Sequence, residues 1–158
     1  MLWQFAQWSE ATWLGNAIKD SQYAFPAIEF FHLAALAVLG GAVIVVDLRL
    51  LGLGVRKTSV RQLAAEAQPF VTGSLIVMIV SGVALYTSEA TKCYVSPAFW
   101  IKIISLVLVI IFTYTVRRAV TAAGEERISA LARKSVAIVS LGLWFAVAWG
   151  GRWIGFGG

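Results

Sequence analysis

This chain of 158 residues holds one cysteine, one histidine and three prolines, and only 13% of its residues are charged. Each shortage excludes something. Cys93 alone cannot form an intrachain disulfide, nor can it build a thiolate-rich metal site from one chain. With His32 as the sole histidine, haem ligation by two histidines would need two subunits or a different second ligand. Met78 is the only methionine besides the initiator, so a sulfur-lined copper route is poorly supplied. Soluble domains carry about 25% charged residues, so the scarcity of charge here is a membrane composition. There is no internal repeat, no low-complexity segment, no phosphate-cradling glycine loop and no serine-hydrolase constellation. The opening Met-Leu-Trp-Gln-Phe lacks a basic stretch before an apolar core, so it does not read as a signal peptide.

What fills the chain is apolar: 59% of residues are hydrophobic and the mean hydropathy is +0.81. The organising stretch runs from Phe25 to Gly54, uncharged between His32 and Asp47. About 20 apolar residues at a 1.5 Å rise match a hydrocarbon core of roughly 30 Å, which predicts a transmembrane helix. Similar stretches follow, giving expected spans at about 26–51, 70–87, 97–116 and 135–151. Pro26 and Pro97 suit first helical turns, whereas Pro69 is expected to kink or interrupt a helix begun after Thr58 or Ser59. Residues 2–19 read as one amphipathic helix lying in the interface, with Ser9, Thr12, Asn16 and Lys19 as its polar stripe and Trp3, Trp8 and Trp13 at headgroup level. The expected fold is therefore an all-α membrane protein: a four-helix transmembrane bundle with an N-terminal interfacial amphipathic helix, one domain over 1–158.

Orientation follows from the basic residues flanking the spans. Arg49, Arg56, Lys57, Arg61, Arg117, Arg118, Arg127, Arg133 and Lys134 fall at the first and third loops, against Lys92 alone in the second. Both termini, and Cys93 in a short polar loop, are then expected on the outer side. The net charge of +5 serves orientation in this arrangement, and no nucleic-acid partner is expected.

Ionisable groups at membrane depth are costly and mark functional sites by default. Glu29 and His32, three apart, share a helix face, and Lys102 lies at a similar depth in the third span. Together they form a candidate ligand or proton site in the outer leaflet. The plainer alternative is that Lys102 snorkels, Glu29 sits in the interface and His32 bonds a neighbouring helix. The Glu29-x-x-His32 spacing also suits a metal ligand pair, but one chain supplies a single pair. No cofactor is expected; haem b at His32 is the alternative. Asp47 and Arg49 form a candidate inner polar clasp, with Asp47 reaching Arg61 or Arg117 rather than Arg49. Gly142, Ala146 and Gly150 recur every four residues, as do Ala37 and Gly41, in ridges that suit helix packing within the bundle or in a homo-oligomer.

The run Pro26-x-x-Glu29-x-x-His32, Gly40-Gly41 and Asp47-Leu-Arg-Leu-Leu-Gly52 resembles a family of small four-span bacterial membrane proteins of unknown function. Tyr86-Thr-Ser-Glu-Ala-Thr-Lys-Cys-Tyr and Ser96-Pro-Ala-Phe-Trp-Ile-Lys102 extend that resemblance. More remotely, the layout is similar to the copper-resistance D-type membrane domain. The resemblance implies a bacterial inner-membrane protein, supports the four-span fold and picks out Glu29, His32, Asp47, Arg49 and Lys102. It implies no activity. The expected function is a non-enzymatic binding or transport component for a small ligand. A haem-binding electron-transfer subunit and a structural accessory of a membrane complex are the alternatives.

Overall fold

A computed structural model describes residues 1–54 and 57–154. Arg56, counted above among the inner basic residues, lies outside the described residues. Every element described is helical: α1 (Leu2–Glu10), α2 (Trp13–Asp20), α3 (Ala24–Leu50), α4 (Val60–Ser88), α5 (Ala90–Val95), α6 (Pro97–Phe112), a π-helical turn (Thr113–Arg117), α7 (Arg118–Ala123) and α8 (Ala130–Ile154). Four stretches are long and apolar enough to cross a membrane: Ala24–Leu50, Val60–Ser88, Pro97–Ala123 and Ala130–Ile154. The chain is thus a multi-pass membrane protein.

Helices are the form that apolar surroundings demand, because each satisfies its own backbone polar groups. α3 packs chiefly on α4, and α6 on α8; contact between α3 and α8 joins the two pairs. The core lies along that seam, where Leu39, Val43, Val71, Leu75, Met78, Val109 and Val147 surround Trp144. Large apolar side chains such as Phe30, Phe31, Phe70, Val80, Ile104, Ile111 and Phe145 stay on the outside of the spans. In water that surface would be a liability; against lipid tails it costs nothing.

Local chemistry explains the ends. Gly52 (φ +86°) follows α3; its N–H bonds the Arg49 carbonyl, while the N–H of Leu53 reaches back to Leu48. That paired closure needs a left-handed residue, hence glycine. Ser59 caps α4, accepting from the Gln62 N–H at 3.2 Å. Of the two fates expected at Pro69, interruption does not occur: the helix runs from Val60 to Ser88 with the proline inside it. The third span outruns its expected end at Val116, because Arg117 turns inward and the helix continues to Ala123.

The N-terminal segment is also corrected. It is a helical hairpin, not one helix over 2–19. Thr12 breaks it with extended backbone and caps α2, accepting from the Gly15 N–H. The hairpin folds onto the end of the bundle that carries α5. Glu10 accepts from both the N–H (3.1 Å) and the hydroxyl (2.6 Å) of Thr91 in the first turn of α5, and it pairs with Lys19. A Cβ on Gly15 would stand 2.6 Å from the Thr87 carbonyl oxygen, so only glycine permits this approach of α2 to the end of α4. Aromatic contacts carry the docking further: Trp3 meets Tyr94 edge-on (5.5 Å), Tyr94 meets Trp100, and Trp100 meets Phe99.

The Lys19 ammonium, then the Thr91 hydroxyl, hold the Glu10 carboxyl down to about 2 from its ordinary 4.5. Stability from this carboxylate is therefore present above pH 4.5 and lost as pH falls towards 2. Tryptophan fluorescence of the hairpin should report undocking in that window in the wild type. In Glu10→Gln the docking should be weaker at neutral pH and the acid transition should vanish.

Candidate functional site

A cavity of about 300 Å³ opens between the spans at the hairpin-bearing end, and Glu29, His32 and Lys102 all line it. Leu33, Leu36, Met78 and Val147 form its apolar floor, while Tyr86 and Phe99, stacked at 5.6 Å, stand on one wall. Each of the three polar residues reaches it differently.

His32 is buried on α3, and its Nδ1 lies 2.8 Å from the Ser81 hydroxyl of α4. That hydroxyl has a single proton, which goes to the Val77 carbonyl at 2.6 Å. With the Ser81 proton on that carbonyl, Ser81 accepts and Nδ1 donates, which in the neutral ring leaves Nε2 its lone pair. Gly82 gives the ring its place, since a Cβ there would lie 3.3 Å from His32 Cε1. Glu29, one turn nearer the end, is exposed at the rim.

Lys102 enters the cavity through a gap that α8 leaves for it. A Cβ on Gly150 would stand 3.0 Å from both Lys102 Cβ and the Ala98 carbonyl; one on Gly151 would be 3.5 Å from Lys102 Nζ. Gly150 thus lets the lysine stem lie along the α8 backbone, which it follows past Gly151. Of the small-residue ridge, Gly150 faces inward on α6, Ala146 is half-buried, and Gly142 is open with nothing within 4 Å.

Arg152, Lys92, Glu89 and Cys93 also line the cavity, and Lys92 pairs with Glu89 at 3.9 Å. Cys93 is not in an open polar loop as expected. It is buried in α5, and burial, then the nearby Glu89 carboxylate, push its thiol above the usual range. No group of three His, Cys, Asp or Glu residues that could hold a metal occurs among the described residues.

Asp47 and Arg49 sit at the opposite end and do not pair with each other. Asp47, fully buried, takes Arg117 Nε at 2.8 Å, and the same guanidinium lies 3.5 Å from the Val43 carbonyl. Arg49 donates to the Thr58 carbonyl (2.9 Å) and pairs with Glu125 (2.6 Å), which Arg133 also approaches at 3.6 Å. Sequence reasoning had Arg117 as one of two partners for Asp47, but it missed the shared Glu125 because loop charges carry no periodicity. It also missed Ser81, Gly82 and Gly151, whose roles appear only once α3, α4 and α8 are packed.

The sequence profile of a family of unknown function, DUF6644, matches residues 5–157. The chain belongs to DUF6644. No curated protein and no solved structure matches it. The DUF6644 match begins inside α1 and covers the rest of the hairpin, all four membrane helices and every residue of both polar sites.

Removing one partner of a buried ion pair leaves an uncompensated charge, at a cost of about 3–5 kcal/mol. Arg117→Met should therefore destabilise the bundle by roughly that amount, read by unfolding in mixed micelles followed by circular dichroism. The double variant Asp47→Leu, Arg117→Met should recover most of the loss. A single variant as stable as the wild type would show that the pair carries no structural weight.

Proposed function

We propose that this protein is a non-enzymatic binding or transport component of a bacterial inner membrane. Its ligand site would be the cavity that Glu29, His32 and Lys102 line. One observation carries the reading: three ionisable groups from two spans line a single cavity with an apolar floor. Binding sites for small molecules have this mixture of apolar walls and few convergent polar groups, typically at about 300–1,000 Å³. A purely structural use of Glu29, His32 and Lys102 would call for side chains packed on one another, with no space between them.

The remote similarity to copper-resistance D-type domains lends little to a copper role, since His32 and Cys93 are the chain's only histidine and cysteine and Met78 its only internal methionine. The basic residues Arg49, Lys57, Arg61, Arg117, Arg118, Arg127, Arg133 and Lys134 gather at the end away from the cavity. By the positive-inside rule that end is cytoplasmic, so the cavity and the hairpin face outward.

Two experiments test this reading. A screen of small metabolites by thermal unfolding in neutral detergent should find compounds that raise Tm; at about 100 times Kd a ligand adds about 2.7 kcal/mol. Leu36→Trp, which fills the floor, should abolish the response. A Soret band lost on His32→Ala would reassign the cavity to haem, and a screen with no cavity-dependent hit would leave the accessory role standing instead. For orientation, the buried Cys93 is a poor probe. In a Cys93→Ser background, Tyr23→Cys should react with an impermeant maleimide from outside and Glu126→Cys only after the membrane is opened. The reverse pattern would turn the cavity to the cytoplasm.

A further inference from the structure

Taking the cavity as a ligand site, as above, we infer that its ligand is a small amphiphilic monoanion. Its charged oxygens would rest on Lys102 and its apolar body on the floor between Leu36, Met78 and Val147. The inference starts from where Lys102 is held. A lysine near a span end ordinarily snorkels to the headgroups along its flexible stem. Here the stem is laid against Gly150 and Gly151, with Cε and Nζ 3.6 and 3.5 Å from the position a Gly151 Cβ would take. The lysine is only partly exposed, and it lies on the cavity wall.

A cation so placed needs a counter-charge, because taking an ion out of water costs more than packing returns. Among the described residues no carboxylate lies within ion-pair distance of Lys102. Of the two carboxylates lining the cavity, Glu89 is engaged by Lys92 and Glu29 stands exposed at the rim. His32 adds no negative charge in any protonation state. The missing partner is an anion that enters from outside.

The rest of that anion must be apolar and small. Beyond Lys102 the cavity runs over aliphatic side chains, with the Tyr86–Phe99 pair at the side, and its volume lies at the bottom of the range for ligand sites. Of the other cations on the lining, Lys92 pairs with Glu89 and Arg152 is itself engaged, so Lys102 calls for one negative charge, and a polyhydroxylated anion would leave its hydroxyls unpaired on the floor. A free monocarboxylate and the single anionic head of a lipid share the required chemistry.

Octanoate and its uncharged counterpart octanol serve as probes, titrated against the full chain in a neutral maltoside detergent with Tm as readout. Octanoate should stabilise the wild type at lower concentration than octanol. Lys102→Met, which keeps length and apolar stem, should weaken octanoate roughly ten- to hundredfold and leave octanol unchanged. Lys102→Arg should keep the preference for octanoate, which guards against a variant that merely misfolds. Repeating the titration in nanodiscs separates the sources. Loss of the octanoate response in phosphatidylglycerol but not in phosphatidylcholine assigns the site to a lipid head, and its persistence in both assigns it to a free anion. Equal responses to the two probes, no response to octanoate, or a preference that survives Lys102→Met would overturn the anion assignment while leaving the cavity a ligand site. Failure of the cavity reading is a separate result: octanol and octanoate shifts both unaffected by Leu36→Trp.

Discussion

The ion pair between Asp47 and Arg117 sets the vertical register of the bundle. α3 and the third span run in the same direction, and this 2.8 Å contact ties them together at one end. Fifteen residues earlier on each helix stand His32 and Lys102. At a 1.5 Å rise His32 lies about 22 Å above the pair, and Lys102 stands at a similar depth, slightly nearer because the wider π-helical turn at Thr113–Arg117 advances less per residue. A slip of one helix past the other would break the buried pair, so the geometry of the cavity is held from the opposite face of the membrane. The π-helical turn at Thr113–Arg117 contributes by widening the helix where Arg117 must point inward rather than towards the headgroups.

At the cavity end, the fold relies on close backbone approach more than on charge. Gly82 makes room for the His32 ring, Gly150 and Gly151 for the Lys102 stem, and Gly15 for the carbonyl at the end of α4. A methyl group at Gly15 or Gly150 would push backbone apart, one at Gly82 would crowd the His32 ring, and one at Gly151 would just touch the lysine stem. The polar groups are therefore oriented by what the neighbouring helices omit. The aromatic chain from Trp3 through Tyr94, Trp100 and Phe99 ends on Tyr86, so the docked hairpin and the cavity wall share one set of rings.

The four spans were legible in the sequence because a long apolar run has few alternative fates, and the places of Pro26 and Pro97 and the Ser59 cap followed from local chemistry. What escaped notice depended on partners distant in sequence. Thr12 read as one more member of a polar stripe, although it caps a second helix; a hydroxyl serves either role until the chain direction is known. Arg117, one of the two partners offered for Asp47, also read as the end of a span, although the helix continues past it to Ala123. The meaning of Gly150 changed most. Its four-residue spacing suggested a contact ridge, and the structure sets it, with Gly151, against Lys102. Glycine spacing encodes that something comes close, and it does not say what.

Glu10 and Thr91, whose contact seats the hairpin, are separated by 81 residues of chain. The hairpin emerges early in synthesis, yet its docking surface is complete only when α4 and α5 have followed. Until then α1 and α2 have no seat, and their tryptophans have only the lipid headgroups to rest on. The hairpin therefore waits on helices that follow it in the chain before it can take its seat.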